Sequence, residues 1–210
     1  MIYDAVLTLV YPQVCVICGG SVEQRRFGVA CESCWKGTRI FADDEAHFTG
    51  GRALGIYEGA LREAVLLLKR QPYLPPYVEK LLAEAVGREP LNSSTRVVPV
   101  PLHPKRLRTR GFNQAAIVGR VVSRALRLPL DEVSLVRVST TEKYRAGLDR
   151  KGRRDTVAGA FEVRHPRLVA GENILLVDDV FTTGATVSAC TEALTTAGAA
   201  NVHVLTLARA

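Results

Sequence analysis

Apolar residues follow two alternating patterns along the chain, short continuous runs and runs with helical spacing. The short runs predict strands at residues 52–57, 96–101, 133–138, 160–163, 174–177 and 202–208. The helical spacing predicts helices at residues 60–70, 77–88, 112–126 and 186–197. Strands separated by helices of about ten to fifteen residues are typical of a mostly parallel sheet with helices on both faces. The pattern therefore predicts an α/β fold.

Composition narrows the class of protein. Hydrophobic residues make up 47% of the 210 residues and charged residues 23%, which is an ordinary globular balance. The longest apolar stretches, such as residues 64–68, are far shorter than the roughly 20 residues that span a bilayer. The chain begins without basic residues before an apolar run, so a secretory signal is not expected. We therefore expect a cytoplasmic protein without a membrane span.

Positive charge is concentrated in the middle of the chain. Residues 96–154 hold 15 Lys or Arg against 4 Asp or Glu, whereas the segments before and after them are slightly acidic. Such asymmetry favours a polyanionic partner, either a phosphorylated small molecule or a nucleic acid backbone. The alternative is a solvated, arginine-rich surface without a partner.

Four of the five cysteines form two C-x2-C pairs with twelve residues between them, Cys15–Cys18 and Cys31–Cys34. Two disulfides are disfavoured in a reducing cytoplasm, whereas four thiolates on two tight turns suit tetrahedral zinc. Four protein ligands leave the metal no open position, so the zinc would be structural. The alternative, two redox dithiols, lacks the strand-to-helix context of such motifs. Residues 21–30 predict a short hairpin between the pairs, and Cys190 fits a small core residue.

A polar, glycine-rich stretch at residues 43–51 predicts a linker after the cysteine pairs. We place a boundary near residue 50, with a zinc-ribbon domain at residues 1–50 and the α/β domain at residues 51–210.

The most informative segment spans residues 174–186, where an apolar strand ends on Asp178 and Asp179 and a Thr/Gly-rich loop opens a helix. Free N–H groups and the positive dipole end of a helix favour a phosphate. The two carboxylates suit hydrogen bonds from sugar hydroxyls, although adjacent acids also occur as plain turn formers. Neither a Walker A motif nor a Rossmann glycine pattern is present. The candidate phosphate-binding residues of the loop are Thr182, Thr183, Gly184, Ala185 and Thr186.

This segment resembles the signature of type I phosphoribosyltransferases, which bind 5-phosphoribosyl-1-pyrophosphate (PRPP). Only Phe181 departs from it, at a position usually held by a smaller aliphatic residue. Two further segments, residues 98–107 and 110–115, look like the ComF family. The order of parts, with a four-cysteine ribbon before the transferase domain, resembles it as well, so the resemblance covers essentially the whole chain.

The resemblance implies roles for the individual residues. Asp178 and Asp179 would hold the ribose hydroxyls, the loop would hold the 5′-phosphate, and magnesium would lie between pyrophosphate and ribose. The turn after Pro101 would face the pyrophosphate, although its cations also fit a solvated surface and His103 an ordinary surface position. The candidate contacts of the pyrophosphate are Leu102, His103, Lys105, Arg106 and Arg110.

The resemblance also implies a flexible loop at residues 140–154, which is long, basic and poor in apolar residues. Arg153 and Arg154 fit the family pattern. The glutamine and the asparagine common in ComF relatives are replaced, the first by Tyr144 or Arg145 and the second by Thr156. These departures from the family pattern leave the nature of any acceptor substrate open.

Two functions remain open at this level. The ComF resemblance implies an accessory to DNA uptake in natural transformation that binds PRPP and single-stranded DNA, with DNA-uptake or helicase proteins as further partners. The alternative is an active phosphoribosyltransferase, with a purine, pyrimidine or amido acceptor, in nucleotide metabolism or salvage. The sequence names no catalytic residue and leaves open whether any transfer occurs. We favour the first.

Overall fold

A computed structural model describes residues 13–41, 51–138 and 159–210, together with the backbone of His47 and Phe48. The strands are β1 (His47–Phe48), β2 (Gly51–Ile56), β3 (Arg96–Pro99), β4 (Leu135–Arg137), β5 (Phe161–Val163), β6 (Asn173–Phe181) and β7 (Asn201–Arg209). The α-helices are α1 (Glu32–Lys36), α2 (Gly59–Leu68), α3 (Pro76–Val86), α4 (Pro104–Arg110), α5 (Gln114–Leu126) and α6 (Ala185–Thr196).

Five strands form the main sheet in the order β1-β2-β7-β6-β3. The pairs β2–β7, β7–β6 and β6–β3 are parallel, and the two-residue strand β1 lies antiparallel to β2 at one edge. The predicted mostly parallel sheet is confirmed. Strands β4 and β5 do not join it, because they pair only with each other and form a separate antiparallel ribbon.

Side chains of the central strand β6 alternate between two apolar clusters. Leu175 and Val177 belong to the cluster that includes residues of α2, α3 and α5, while Ile174 and Leu176 face the cluster with α6. All four are fully buried. The continuous apolar run in the sequence therefore reflects a strand covered on both faces.

The cysteine-rich segment differs from the predicted ribbon. Residues 21–30 contain a 3₁₀ turn at Arg25–Phe27 rather than a hairpin. Of the second cysteine pair, Cys31 precedes α1 as its N-cap and Cys34 lies within it. The rings of Phe27 and Trp35 lie edge-on against Tyr77 of α3, with centroids 5.1 and 5.0 Å away. Both rings are buried, so the segment shares the larger apolar cluster of the main sheet.

Two further predictions about elements need correction. Strand β6 does not end at Val177, because ladder pairing with β7 continues to Phe181 opposite Arg209. The stretch after Pro101 is not a simple turn, since residues Pro104–Arg110 form α4. No helix among the described residues has both the length and the apolar character of a membrane span.

Candidate functional site

The four cysteines of the two C-x2-C pairs converge on one point. Their Sγ atoms all lie within 4.8 Å of one another, and the pairs Cys15–Cys34 and Cys18–Cys31 are each 3.7 Å apart. Four sulfurs bound tetrahedrally about 2.3 Å from zinc would be separated by about 3.8 Å. A disulfide needs about 2.05 Å, so the spacing fits a metal and not a bond between sulfurs.

Local hydrogen bonding favours a thiolate in this cluster. Burial opposes ionisation of Cys15, but backbone N–H groups of Cys18, Cys31 and Ile17 outweigh it and lower the pKa of Cys15 to about 6. Burial and the neighbouring thiols raise the pKa of Cys34 to about 12. Cys15 is therefore the thiol that ionises most readily as a metal ligand. A divalent cation would favour ionisation of the other thiols.

At the carboxyl edge of the main sheet, strand β6 extends beyond its neighbour β3. Strand β3 ends at Pro99, and the last bond on that side runs from the N–H of Val100 to the carbonyl of Val177, at 2.9 Å. Strand β6 continues through Asp178 and Asp179, which are both half-buried. Ligands of open parallel sheets bind at this kind of edge.

The two carboxylates have different surroundings. Burial, reinforced by the charge of Asp179, raises the pKa of Asp178 to about 7. The Oδ2 atom of Asp179 lies 3.5 Å from Nζ of Lys69, at the carboxyl end of α2. Lys69 also lies 5.8 Å from the ring centroid of Tyr57. One carboxyl group is thus able to carry a proton near neutral pH, whereas the other has a cationic partner.

The threonine-rich loop leads directly into α6. Thr182 and Thr183 are exposed, and Gly184 caps the helix with φ of +77°. Thr183 Oγ1 accepts a hydrogen bond from the N–H of Ala185 at 3.4 Å. Residues 182–186 therefore surround the amino end of a twelve-residue helix, the local arrangement that the sequence predicts for a phosphate.

The predicted pyrophosphate contacts lie on and before α4. Leu102 and His103 are half-buried in the connection from β3, and Nδ1 of His103 accepts a hydrogen bond from the N–H of Lys105 at 3.1 Å. His103 thus caps the helix. Lys105 and Arg106 are exposed and Arg110 is half-buried. The helix ends at Gly111, in a left-handed conformation that suits glycine.

Asn113 links this region to the sheet. Its Nδ2 donates to the carbonyl of Val100 at 2.9 Å, and its Oδ1 accepts from the N–H of Ala115 at 3.2 Å. These bonds explain why α5 begins at Gln114 and not at residue 112 as predicted. They also hold the connection between β3 and α4 against the start of α5.

Arg137 is a candidate that sequence reasoning missed. Its guanidinium stands 5.3 Å from the ring centroid of Phe161, the residue that faces it across the ribbon of β4 and β5. Burial and then repulsion by Arg106 lower the pKa of Arg137, while Asp178 acts in the opposite sense. The ribbon therefore places the guanidinium of Arg137 near Arg106 of α4 and near Asp178. The sequence gives no sign of this position, because Arg137 is a single arginine in a three-residue strand.

The predicted loop contacts Arg153 and Arg154 lie outside the described residues. The boundary near residue 50 also falls beside residues that are not described, and it stays a prediction.

Residues 112–210 match the family model for the phosphoribosyl transferase domain. The DNA utilization protein YhgH of Escherichia coli K12 is 28% identical over 229 aligned positions, which cover 96% of this chain and 99% of that protein. Competence protein F of Haemophilus influenzae is 36% identical over 120 positions, 54% of this chain and 50% of that protein. The predicted resemblance to the ComF family is confirmed.

Several other curated relatives are also matched over only about half of their own length. With its parallel sheet and flanking helices, the chain has the type I phosphoribosyltransferase fold, accompanied by the four-cysteine cluster. Among solved structures, the glutamine PRPP amidotransferase of B. subtilis aligns with a TM-score of 0.45 and 18% identity, over 68% of this chain and 30% of that one.

Proposed function

We propose that this ComF homologue binds PRPP at the carboxyl end of β6 and single-stranded DNA on the basic surface of α4, as an accessory to DNA uptake or utilization. The relatives named for competence and DNA utilization support the DNA role. The observation that carries the proposal is the carboxyl edge of the main sheet, where two carboxylates near the end of β6 are followed directly by the loop at the amino end of α6.

The hydroxyl and phosphate groups of PRPP each have suitable partners among these residues. Ionised Asp178 and Asp179 would accept hydrogen bonds from the ribose hydroxyls, and the N–H groups at the start of α6 would bind the 5′-phosphate. The donor set also fits magnesium, a hard cation that prefers carboxylate and phosphate oxygens and that would neutralise the pyrophosphate when bound. Arg106 and Arg137 would lie on the pyrophosphate side.

The DNA surface is formed by α4. This seven-residue helix carries four cations, and no carboxylate of the described residues lies within 4.0 Å of any of them. In contrast, Arg120 pairs with Glu132 at 3.2 Å and Arg124 with Glu79 at 3.9 Å. We define the basic face of α4 as Lys105, Arg106, Arg108 and Arg110. Cations without carboxylate partners can neutralise phosphates without first losing an ion pair.

Zinc in the four-cysteine cluster is part of the proposal. The 3.7 Å spacing of the sulfurs supports a closed tetrahedral site, which would stabilise the segment around α1 rather than take part in chemistry. The predicted cytoplasmic location remains an expectation.

Phosphoribosyl transfer is the second candidate function, and the position of Lys69 favours it. Lys69 and Tyr57 lie beside Asp179, where an acceptor would approach the anomeric carbon of a ribose held by the carboxylates. Transfer would break the bond from that carbon to pyrophosphate and form a bond to the acceptor, so pyrophosphate would be released.

Two assays together separate the two functions. Fluorescence anisotropy would measure binding of a labelled oligonucleotide, and a coupled assay would measure pyrophosphate release from PRPP with purine, pyrimidine, ammonia or DNA as acceptor. The accessory function predicts DNA binding and PRPP binding without turnover. Pyrophosphate release with a small acceptor, in a protein that does not bind DNA at low salt, would establish the enzyme instead.

A further inference from the structure

A cavity of about 520 Å³ lies beside the edge strand β3, between α4, α5 and β4. Asp178, Asp179 and the loop at residues 182–186 do not line it. Its volume falls in the range of about 300–1,000 Å³ that is typical of small-molecule pockets. The cavity therefore adjoins the proposed PRPP site on its pyrophosphate side, where Leu102 and Arg137 line it.

The walls of this cavity are mainly apolar. Helix α4 contributes Pro104 and Leu107, which lie three residues apart and so share one helical face. The side chain of Leu107 is 42% exposed, and the half-buried ring of Phe112 lines the cavity where the chain enters α5. The apolar face of α4 thus turns towards the cavity, while its cations occupy the remaining faces of the helix.

The polar lining is mostly cationic. Arg120, Arg137 and Arg164 line the cavity together with one acid, Glu132, whose Oε1 is bound to Arg120 at 3.2 Å. Arg164 is paired with Glu162 at 3.3 Å. Among the described residues, no carboxylate lies within ion-pair distance of Arg137, which also repels Arg106 of α4. Positive charge remains in excess around an apolar interior, so an anion with an apolar part would fit.

A nucleotide unit of a strand combines these two properties. Single-strand binding proteins join a cationic surface for the backbone to apolar or aromatic sites for the bases. The basic face of α4 offers four cations, more charge than one phosphate group needs, which favours a strand over a free mononucleotide. We propose that this cavity holds one base of a bound DNA single strand while the basic face of α4 contacts the adjoining phosphates. The inference rests on the DNA binding proposed above.

The test compares two oligonucleotides of equal length, oligo-dT and the same backbone with abasic sites. Both carry the same phosphates, so only a base site distinguishes them. The wild-type protein should bind oligo-dT about tenfold more tightly than the abasic strand in anisotropy titrations, as expected for one stacked base. Phe112→Leu, which keeps an apolar side chain but removes the ring, should bring the two affinities within about twofold of each other.

Phe41→Leu is the matched control, since Phe41 is also half-buried, lies outside the cavity and has Arg209 over its ring at 5.0 Å. It should keep the difference between the two strands. Both variants should keep the PRPP-induced rise in melting temperature, which also shows that they fold.

The outcomes distinguish this inference from the function on which it rests. Equal wild-type affinities for the two strands, or an undiminished difference in Phe112→Leu, would refute the base site and leave backbone binding intact. Absence of binding to any strand would refute the DNA function. Free dTMP is a competitor for the same site. If it competes as well as oligo-dT at equal nucleotide concentration, the cavity is a mononucleotide site and the assignment to a strand is wrong.

Discussion

The ring of Phe181 lies directly against the backbone of Gly184, so that a Cβ atom at the glycine would stand 2.9 Å from Cζ of the ring. Gly184 also has φ of +77°, which disfavours any L side chain. The larger residue at position 181, where the family usually has a smaller aliphatic side chain, is thus accommodated by the absence of a side chain at position 184. The two positions are coupled through this contact.

Gly184→Ala should therefore weaken PRPP binding for two separable reasons. The backbone conformation alone costs about 1–2 kcal/mol, and the contact with the ring adds to it. Phe181→Val in the same chain should recover the steric part and leave the backbone part. The melting temperature without ligand measures the loss of stability from both causes, and its shift with PRPP and magnesium measures the loss of binding. If the double variant recovers nothing, the ring does not contribute to the defect.

Removal of the two carboxylates tests the ribose site. PRPP with magnesium binds only the folded protein, so at about 100 times its dissociation constant it should raise the melting temperature by roughly 5–10 °C. Asp178→Asn combined with Asp179→Asn should abolish this shift. Glu192→Gln, an exposed acid on α6, is the control and should retain it. A full shift in the double variant would show that the carboxylates do not hold the sugar.

The raised pKa of Asp178 predicts how stability changes with pH. The folded protein holds a proton on this carboxyl up to about pH 7, whereas the unfolded chain loses it near pH 4. The contribution of Asp178 to the free energy of unfolding should therefore fall as the pH rises through this window. Asp178→Asn, which cannot ionise, should gain melting temperature relative to wild type between about pH 4 and pH 8.

Thermal melts of the two proteins across this pH range measure the difference. Asp179 and Lys69 lie nearest to the carboxyl group, and both are present in wild type and variant. A difference in melting temperature that stays constant with pH would show that Asp178 is ionised throughout. PRPP binding should strengthen over the same range, because the ionised carboxylate is the stronger acceptor for the ribose hydroxyls.

The basic face of α4 predicts the salt dependence of DNA binding. On single strands the logarithmic slope is about −0.7 for each phosphate contacted, so three to five contacts give roughly −2 to −3.5. Changing the four cations to glutamine should flatten the slope by up to about 3 and weaken all sequences alike. Titrations at three salt concentrations determine the slope before and after the change.

The control for this variant changes cations that already have carboxylate partners, Lys36, Arg62 and Lys80. It should leave the slope nearly unchanged. Reversal of Arg108, Arg120 and Arg124 to glutamate would also break two ion pairs, those of Arg120 and Arg124, so it does not isolate α4. An equal loss of slope in the control would show that net charge acts, rather than α4.

Zinc content tests the cysteine cluster. The protein purified from zinc-containing medium should hold one zinc per chain by elemental analysis, and Cys15→Ser should lose it with a fall in melting temperature. Cys190→Ala should retain the metal, because Cys190 is buried under α6 against the main sheet. Zinc that is retained after removal of both Cys31 and Cys34 would contradict the four-sulfur site.

The sequence predicted best where residue spacing alone dictates geometry. Two C-x2-C pairs twelve residues apart favour one four-sulfur metal site, and apolar runs between amphipathic helices favour a covered parallel sheet. Asp178 and Asp179 were found because they follow such a run. Pairing with β7 extends β6 to Phe181, four residues beyond Val177, where the apolar run ends.

The remaining features depend on contacts that no local pattern records. The predicted hairpin at residues 21–30 was wrong because Trp35 Nε1 donates to the carbonyl of Phe27, at 2.9 Å, and the chain forms a 3₁₀ turn there. Helix α4 was missed because it is short and almost entirely polar on its outer faces. Arg137 depends on the position of a ribbon that is separate from the main sheet.

The contact of Phe27 and Trp35 with Tyr77 has a consequence for how the chain can be divided. Helix α3 presents its tyrosine ring to the cysteine-rich segment, and that segment supplies two large rings to the same apolar cluster as Leu205. A transferase-like fragment beginning at residue 51 would expose this surface to water and should aggregate unless Tyr77 is replaced by a polar residue. The cysteine-rich segment and the sheet are therefore expected to fold as a single unit.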